Sequence, residues 1–172
     1  MRDPWRMLAR LRVPLGFVAG ILVLWLAKPT WPLLAAGSVV SALGECIRVW
    51  AAGHLEKSRE VTRSGPYRWT RHPLYVGSAL MGLGVAIAGN SLIAAAATGL
   101  YIALTFTAAI RTEEAFLRQK FGAEYDDYCR GAGQAVDRPF SIARAWRNRE
   151  YRAVLGMAAV FAILALKAAL QP

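Results

Sequence analysis

Of 172 residues, 56% are hydrophobic, and 21 Lys and Arg against 11 Asp and Glu leave a net charge of +10. A soluble domain is about 45–50% apolar even with glycine counted; here the surplus is gathered into long segments, which excludes an ordinary soluble fold and points to an all-α integral membrane protein with a single domain over 1–172. The positive balance fits loops facing anionic lipid better than nucleic acid, because no basic helix with interleaved aromatics is present. Cys46 and Cys129 have no CxxC spacing, and His54 and His72 are isolated, so no metal site is expected.

In chain order, a basic and then apolar N-terminus resembles a signal peptide, but no small-residue cleavage site follows cleanly. It reads as a retained first span over 13–27, short against the roughly 20 residues that cross the hydrocarbon. Lys28-Pro29-Thr30 forms a tight turn, and a second span runs over 31–55 with Pro32 in its first turn, where a missing N–H costs nothing. Glu45 and Arg48 share a face of this span. Each is expensive alone in hydrocarbon, so they are expected to pair with one another toward the bundle interior or to contact a ligand. Trp31 reads as an interfacial anchor, and Trp25 and Trp50 as packing residues.

A third span runs over 73–88 and a fourth over 92–110. Gly89-Asn90-Ser91 between them is so short that the two helices must be antiparallel neighbours. Small residues in the fourth span (Ala94 to Ala97, Gly99, Ala103) favour close backbone approach in lipid. The region 111–152 is polar and partly helical, and 153–170 is a last apolar segment. About five transmembrane helices result.

Orientation follows from the basic residues. Arg2, Arg6, Arg10 and Arg12 precede the first span, five Lys and Arg lie in 56–72 and nine in 111–152, whereas the two opposite turns carry only Lys28. By the positive-inside rule the N-terminus and both polar connectors are cytoplasmic, in a protein of the inner (plasma) membrane.

Two stretches carry chemistry. The first is Gly65-Pro66-Tyr67-Arg68-Trp69-Thr70-Arg71-His72-Pro73-Leu74-Tyr75-Val76-Gly77, poised at the membrane edge. Proline at the helix start forces His72 out of the α region. Its free N–H groups and dipole suit an anionic group, with Arg71 and His72 adding donors. The second is Arg111-Thr112-Glu113-Glu114-Ala115-Phe116-Leu117 followed by Phe121-Gly122-Ala123-Glu124-Tyr125-Asp126-Asp127-Tyr128. Glu114 and Arg118, at i and i+4, read as an ordinary helical ion pair. Two adjacent glutamates at the end of an apolar span nevertheless need a cation, which a positively charged cofactor would supply. Gly82-Leu83-Gly84 is too short for a phosphate loop and reads as helix packing.

Taken in order, GPYRWTRHPLYVG, a span containing GLG, and EEAFLRQKFGAEYDDY resemble the isoprenylcysteine carboxyl methyltransferase family, which is related to the integral-membrane phospholipid methyltransferases. The resemblance covers roughly Gly44 to Tyr128. It implies a multi-span helical fold and S-adenosylmethionine as cofactor. The family's RHPxY element matches Arg71, His72, Pro73 and Tyr75, its glycine pair Gly82 and Gly84, and its paired glutamates Glu113 and Glu114. With Gly65 and Tyr67, these are the implied cofactor-binding residues. Glu114 is also implied in catalysis, together with an arginine that orients the acceptor. The family's basic cluster and valine-proline do not follow Tyr128, so that arginine is Arg130 or Arg138, with Arg130 favoured by its closeness to the glutamates.

The implied partner is a lipophilic or prenylated substrate entering from the bilayer, in contact with membrane lipid and with neither nucleic acid nor metal. A carboxylate acceptor needs only an arginine to orient it. An amine acceptor, as in phospholipid N-methylation, must lose a proton, and Glu113 or Glu114 could take it. A sterol-type membrane reductase using NADPH carries a similar RHPxY element but is a longer protein, and a non-enzymatic scaffold would leave both motifs without purpose.

Overall fold

The computed structural model describes residues 4–132 and 138–171, and among these every regular element is helical. The elements are α1 (Pro4–Leu26), α2 (Trp31–His54), a 3₁₀ turn (Gly65–Arg68), α3 (Pro73–Gly89), α4 (Leu92–Phe121), α5 (Ala123–Cys129), α6 (Ile142–Arg147) and α7 (Tyr151–Ala169). α2, α4 and α7 are long and apolar enough to cross a membrane, while the apolar parts of α1 (Val13–Leu26) and α3 are shorter. Large apolar side chains such as Phe17, Ile21, Leu92 and Leu155 point outward, as they must where lipid is the solvent.

Three features depart from expectation. α1 starts at Pro4 rather than Val13. α4 runs past Ile110 to Phe121 without a break, because 111–120 is rich in Glu, Ala, Leu, Arg, Gln and Lys, all strong helix formers. Gly122, at φ +52, ends it. Trp25, taken for a packing residue, is 75% exposed near the end of α1, where an interfacial anchor belongs.

The helices alternate in direction, and contacts define two ends of the bundle. At one end the Lys28 N–H donates to Gly89 O at 2.8 Å and Asn90 Nδ2 to Lys28 O at 3.2 Å. Lys167 Nζ joins them from α7, donating to Leu24 O and Trp25 O at 2.9 and 2.8 Å. The polar connectors occupy the other end. There α6 terminates α2: Ser141 N donates to Gly53 O at 3.1 Å, and Asn148 Nδ2 to Ala52 O and Leu55 O at 2.8 and 2.9 Å. The last carbonyls of α2, otherwise orphaned, are thereby satisfied. Arg144 adds an ion pair to Glu56 at 2.8 Å.

α2 and α3 pack through glycine. Gly37 and Gly44 face Gly84 and Gly77, and the Ser41 hydroxyl donates to Met81 O at 3.1 Å. The same face carries Arg48, whose partner is not Glu45. Its Nη2 lies 2.9 Å from both oxygens of Glu150 and its Nε 3.1 Å from one. Nη1 donates to the Ser78 hydroxyl and, at 3.4 Å, to Leu74 O. Both Glu45 oxygens are buried with no hydrogen-bond partner among the described residues. The expected Glu45–Arg48 pair is therefore replaced by one that closes α7 onto α2 and α3.

This packing makes a contrast testable. A methyl at Gly84 would collide with Ser41 Oγ and the Gly37 carbonyl, whereas one at Gly99 would meet nothing within 4 Å. Gly84→Ala should destabilise the detergent-solubilised protein by about 1–3 kcal/mol. Gly99→Ala should be neutral or stabilising by about 0.5–1 kcal/mol, since alanine is the better helix former. Thermal unfolding of the two variants side by side measures both; equal effects would refute close α2–α3 packing.

Candidate active site

The connector between α2 and α3 folds back beneath the bundle. Gly65 adopts φ +56, and any Cβ there would enter the ring of His54, whose Nδ1 lies 3.1 Å from Ser64 Oγ. Gly65 thus sets the turn that delivers Tyr67 and the residues after it. His72 caps α3 with φ −131 and ψ 51, outside the helical region, and Pro73 behind it is buried, as the His-Pro step demands.

His72 and its neighbour then meet the extension of α4. His72 Nε2 lies 3.0 Å and Arg71 Nη1 3.1 Å from the same oxygen of Glu114, and Arg118 Nη2 lies 3.4 Å from the other. The cation that Glu114 requires is therefore supplied by the chain itself. Glu113, about 100° further round the helix, is exposed. Tyr75 sits edge-on to both His72 and Phe106, at centroid distances of 6.0 and 5.2 Å.

α5 closes the third side. The Tyr128 hydroxyl donates to Tyr67 O at 2.8 Å, and Arg71 Nη1 donates to Cys129 Sγ at 3.3 Å. Burial, with the Glu113 charge second, pushes the Tyr67 hydroxyl well above the usual phenol range. Tyr128 is pushed up to about 12, again chiefly by burial. Both are neutral hydrogen-bonding groups at any physiological pH. Tyr125 is 1% exposed, and its hydroxyl lies next to Cys129. Burial and then the Glu114 charge raise its pKa. Tyr125, Tyr128 and Cys129 were not named from sequence as site residues. Their signal was the i, i+4 spacing of Tyr125 and Cys129, which places both on one face of α5.

The remaining named residues stand elsewhere. Gly82 and Gly84 lie mid-helix, on the order of 13–17 Å along α3 from Pro73 at 1.5 Å per residue; Gly82 faces Ile102 of α4 and Gly84 faces α2. Arg130 is exposed and paired with Asp127 at 2.5 Å. Arg138 pairs with Glu60. The structure thus brings together Tyr67, Arg71, His72, Tyr75 and Glu114, leaves Glu113 exposed on the neighbouring face of α4, and leaves Gly82, Gly84, Arg130 and Arg138 apart from them. No group of three His, Cys, Asp or Glu suited to a metal occurs among the described residues. What is assembled is a strip of alternating charge, with guanidinium and imidazole beside carboxylates, roofed by tyrosines at the end of an apolar bundle. Such a strip suits a polar ligand carrying both a carboxylate and an amino group.

The phospholipid methyltransferase family profile matches residues 16–124, from α1 through the glutamates to the start of α5. The nickel-cobalt-cadmium resistance protein NccN of Alcaligenes xylosoxydans xylosoxydans is 36% identical over 106 residues, 59% of this chain and 49% of that protein. The cobalt-zinc-cadmium resistance protein CzcN of Cupriavidus metallidurans is 38% identical over 100 residues, 57% of this chain and 46% of that one. A probable protein-S-isoprenylcysteine O-methyltransferase of Oryza sativa subsp. indica is 33% identical over 113 residues, 59% of each chain. The chain spans about half the length of these curated relatives. No solved structure matches. With more than half its length matched, including the first motif stretch and the paired glutamates of the second, the chain belongs to the phospholipid methyltransferase family and is related there to the isoprenylcysteine carboxyl methyltransferases.

Proposed function

We propose that this membrane methyltransferase uses S-adenosylmethionine to methylate a lipophilic acceptor reached from the bilayer, foremost the carboxylate of an isoprenylcysteine-like molecule. The observation that carries the reading is the meeting of Arg71 and His72 with Glu114, which joins both motifs at one place. The donor set fits the cofactor: Arg71 and His72 suit its carboxylate, and Glu113 and Glu114 its amino group. When bound, the cofactor supplies a methyl group on a positively charged sulfur. The chain's part is to orient donor and acceptor in line, which accounts for much of such an acceleration, while Tyr67, Tyr75 and Tyr128 exclude water. The name of the rice relative, an isoprenylcysteine O-methyltransferase, supports an oxygen acceptor on such a molecule.

A second reading, an amine acceptor as in phospholipid N-methylation, is favoured by Glu45. Its buried, unpartnered oxygens would suit a cation, and Glu113 or Glu114 would take the proton.

Calorimetry with S-adenosylhomocysteine and with NADPH tests the cofactor. Micromolar binding of the former alone is expected. His72→Ala and Glu114→Gln should each weaken it about tenfold or more, since a hydrogen bond to a charged group contributes roughly 1.5–3 kcal/mol. Binding of NADPH alone would reject the reading.

Methyl transfer from labelled donor to a prenylcysteine analogue or to phosphatidylethanolamine separates the acceptors. For a carboxylate, we assign the orienting arginine to Arg130. Arg130→Lys should then lower turnover while cofactor affinity holds, because lysine lacks the planar fork. If Arg138→Lys has that effect instead, Arg138 is the orienting residue.

We further assign five spans to α1, α2, α3, α4 and α7, with the motif end cytoplasmic in the inner membrane. In a background with Cys46 and Cys129 replaced by serine, Lys57→Cys and Ala123→Cys should label from the cytoplasm and Asn90→Cys from the opposite side. Labelling of Lys57→Cys and Asn90→Cys from one side would overturn this topology.

A further inference from the structure

The corner between α6 and α7 holds features that methyl transfer leaves unused. α6 ends in a Schellman arrangement: Arg149 N donates to Trp146 O at 2.8 Å and Glu150 N to Ala145 O at 3.2 Å. Arg149 occupies its left-handed position with φ +63, a place where glycine is favoured and a side chain is strained. The internal contacts do not explain an arginine there. The Arg149 side chain is exposed and makes no hydrogen bond or ion pair among the described residues. A residue held in a strained conformation without an internal partner is a pointer to function.

Arg149 does not stand alone. Arg147 is 65% exposed, and its one acidic contact, at 3.5 Å, is to Glu56, which Arg144 already engages at 2.8 Å. Arg152 is exposed, with its guanidinium 6.0 Å from the Tyr151 ring. The acid among them, Glu150, is buried and taken by Arg48. The corner therefore presents three guanidiniums and no free carboxylate of its own. Beside them Trp146 stacks on Tyr151 at 4.6 Å, yet remains 66% exposed, and Ile142 on the same helix is 68% exposed. α6 lies against the polar end of α2, where that helix leaves its apolar stretch, and the outward residues Val154 and Leu155 of α7 follow at once. Tryptophan and tyrosine settle at the headgroup level, and clustered arginine beside a membrane span attracts anionic lipid.

We propose that the α6–α7 corner is a binding surface for anionic phospholipid headgroups. Arg147, Arg149 and Arg152 take the phosphates, while Trp146 and Ile142 seat the corner at the acyl boundary. Charge complementarity selects this occupant over an apolar protein partner. The surface needs only a membrane-embedded chain and is independent of the methyl-transfer chemistry.

The test uses the whole protein in lipid nanodiscs of phosphatidylcholine alone and of phosphatidylcholine with phosphatidylglycerol. Thermal unfolding is followed for wild type, Arg149→Gly and Arg149→Lys. Phosphatidylglycerol should raise the wild-type midpoint by several degrees, and salt should reduce that gain. Arg149→Gly should lose much of the gain yet unfold at an equal or higher temperature in neutral discs, because the strain is relieved. Arg149→Lys should keep the gain. An undiminished gain in Arg149→Gly overturns the proposal, as does a lower midpoint for it in neutral discs, which would mark Arg149 as a structural residue. If inorganic phosphate in detergent reproduces the gain, the site binds a free anion and the lipid assignment falls. Shared stabilisation by a cytoplasmic protein fraction and none by phosphatidylglycerol would replace lipid with a protein partner.

Discussion

The bidentate pair between Arg48 and Glu150 is the interaction on which the arrangement depends. Arg48 spends its remaining donors on Leu74 and Ser78 of α3, so one guanidinium ties three helices at the level where the polar end begins. A buried pair is weak evidence for net stability, but removing one partner typically costs about 3–5 kcal/mol because the other charge is stranded. In lipid that asymmetry is a constraint on geometry: α7 has to start where Glu150 can reach Arg48. The position of α7 in turn fixes α6, whose Ser141 and Asn148 terminate α2.

From that junction the site follows. Arg48 reaches the first turns of α3, and α3 begins at the His72 cap. The connector ahead of the cap carries Arg71 and Tyr67. The α4 extension brings Glu114 to them because Gly89-Asn90-Ser91 leaves α3 and α4 no choice but to run side by side. Polar residues from three separate stretches thus converge with little backbone to spare. The Glu114 carboxylate, with the guanidiniums of Arg71 and Arg118 and the His72 ring beside it, is held in place before any ligand arrives.

Hydropathy alone gave the apolar helices and their turns, since a span must be continuous and apolar whatever surrounds it. The His72-Pro73 step was equally readable, because a local steric clash decides it. Pairings across the bundle were not. Local spacing suggested that Glu45 pairs with Arg48, but Arg48 turns to a residue 102 positions later, and nothing in a linear pattern selects Glu150. The union of Arg71 with Glu114 is of the same kind: each stretch was marked as polar and unusual, but their contact depends on helix packing. Gly82 and Gly84 show the reverse case. Glycines that belong to a family motif here lie within the α3 contacts with α4 and α2.

The ties at the far end have a mechanical consequence. There α1, α2, α3 and α4 are stitched through Lys28, Gly89 and Asn90, and α7 is pinned to α1 by Lys167 capping two carbonyls. The polar end is held in the same manner, by Ser141, Asn148 and Arg144 on the last carbonyls of α2 and by the Arg48–Glu150 pair. Clasped at both ends, the bundle resists splaying at either, as staves do between two hoops.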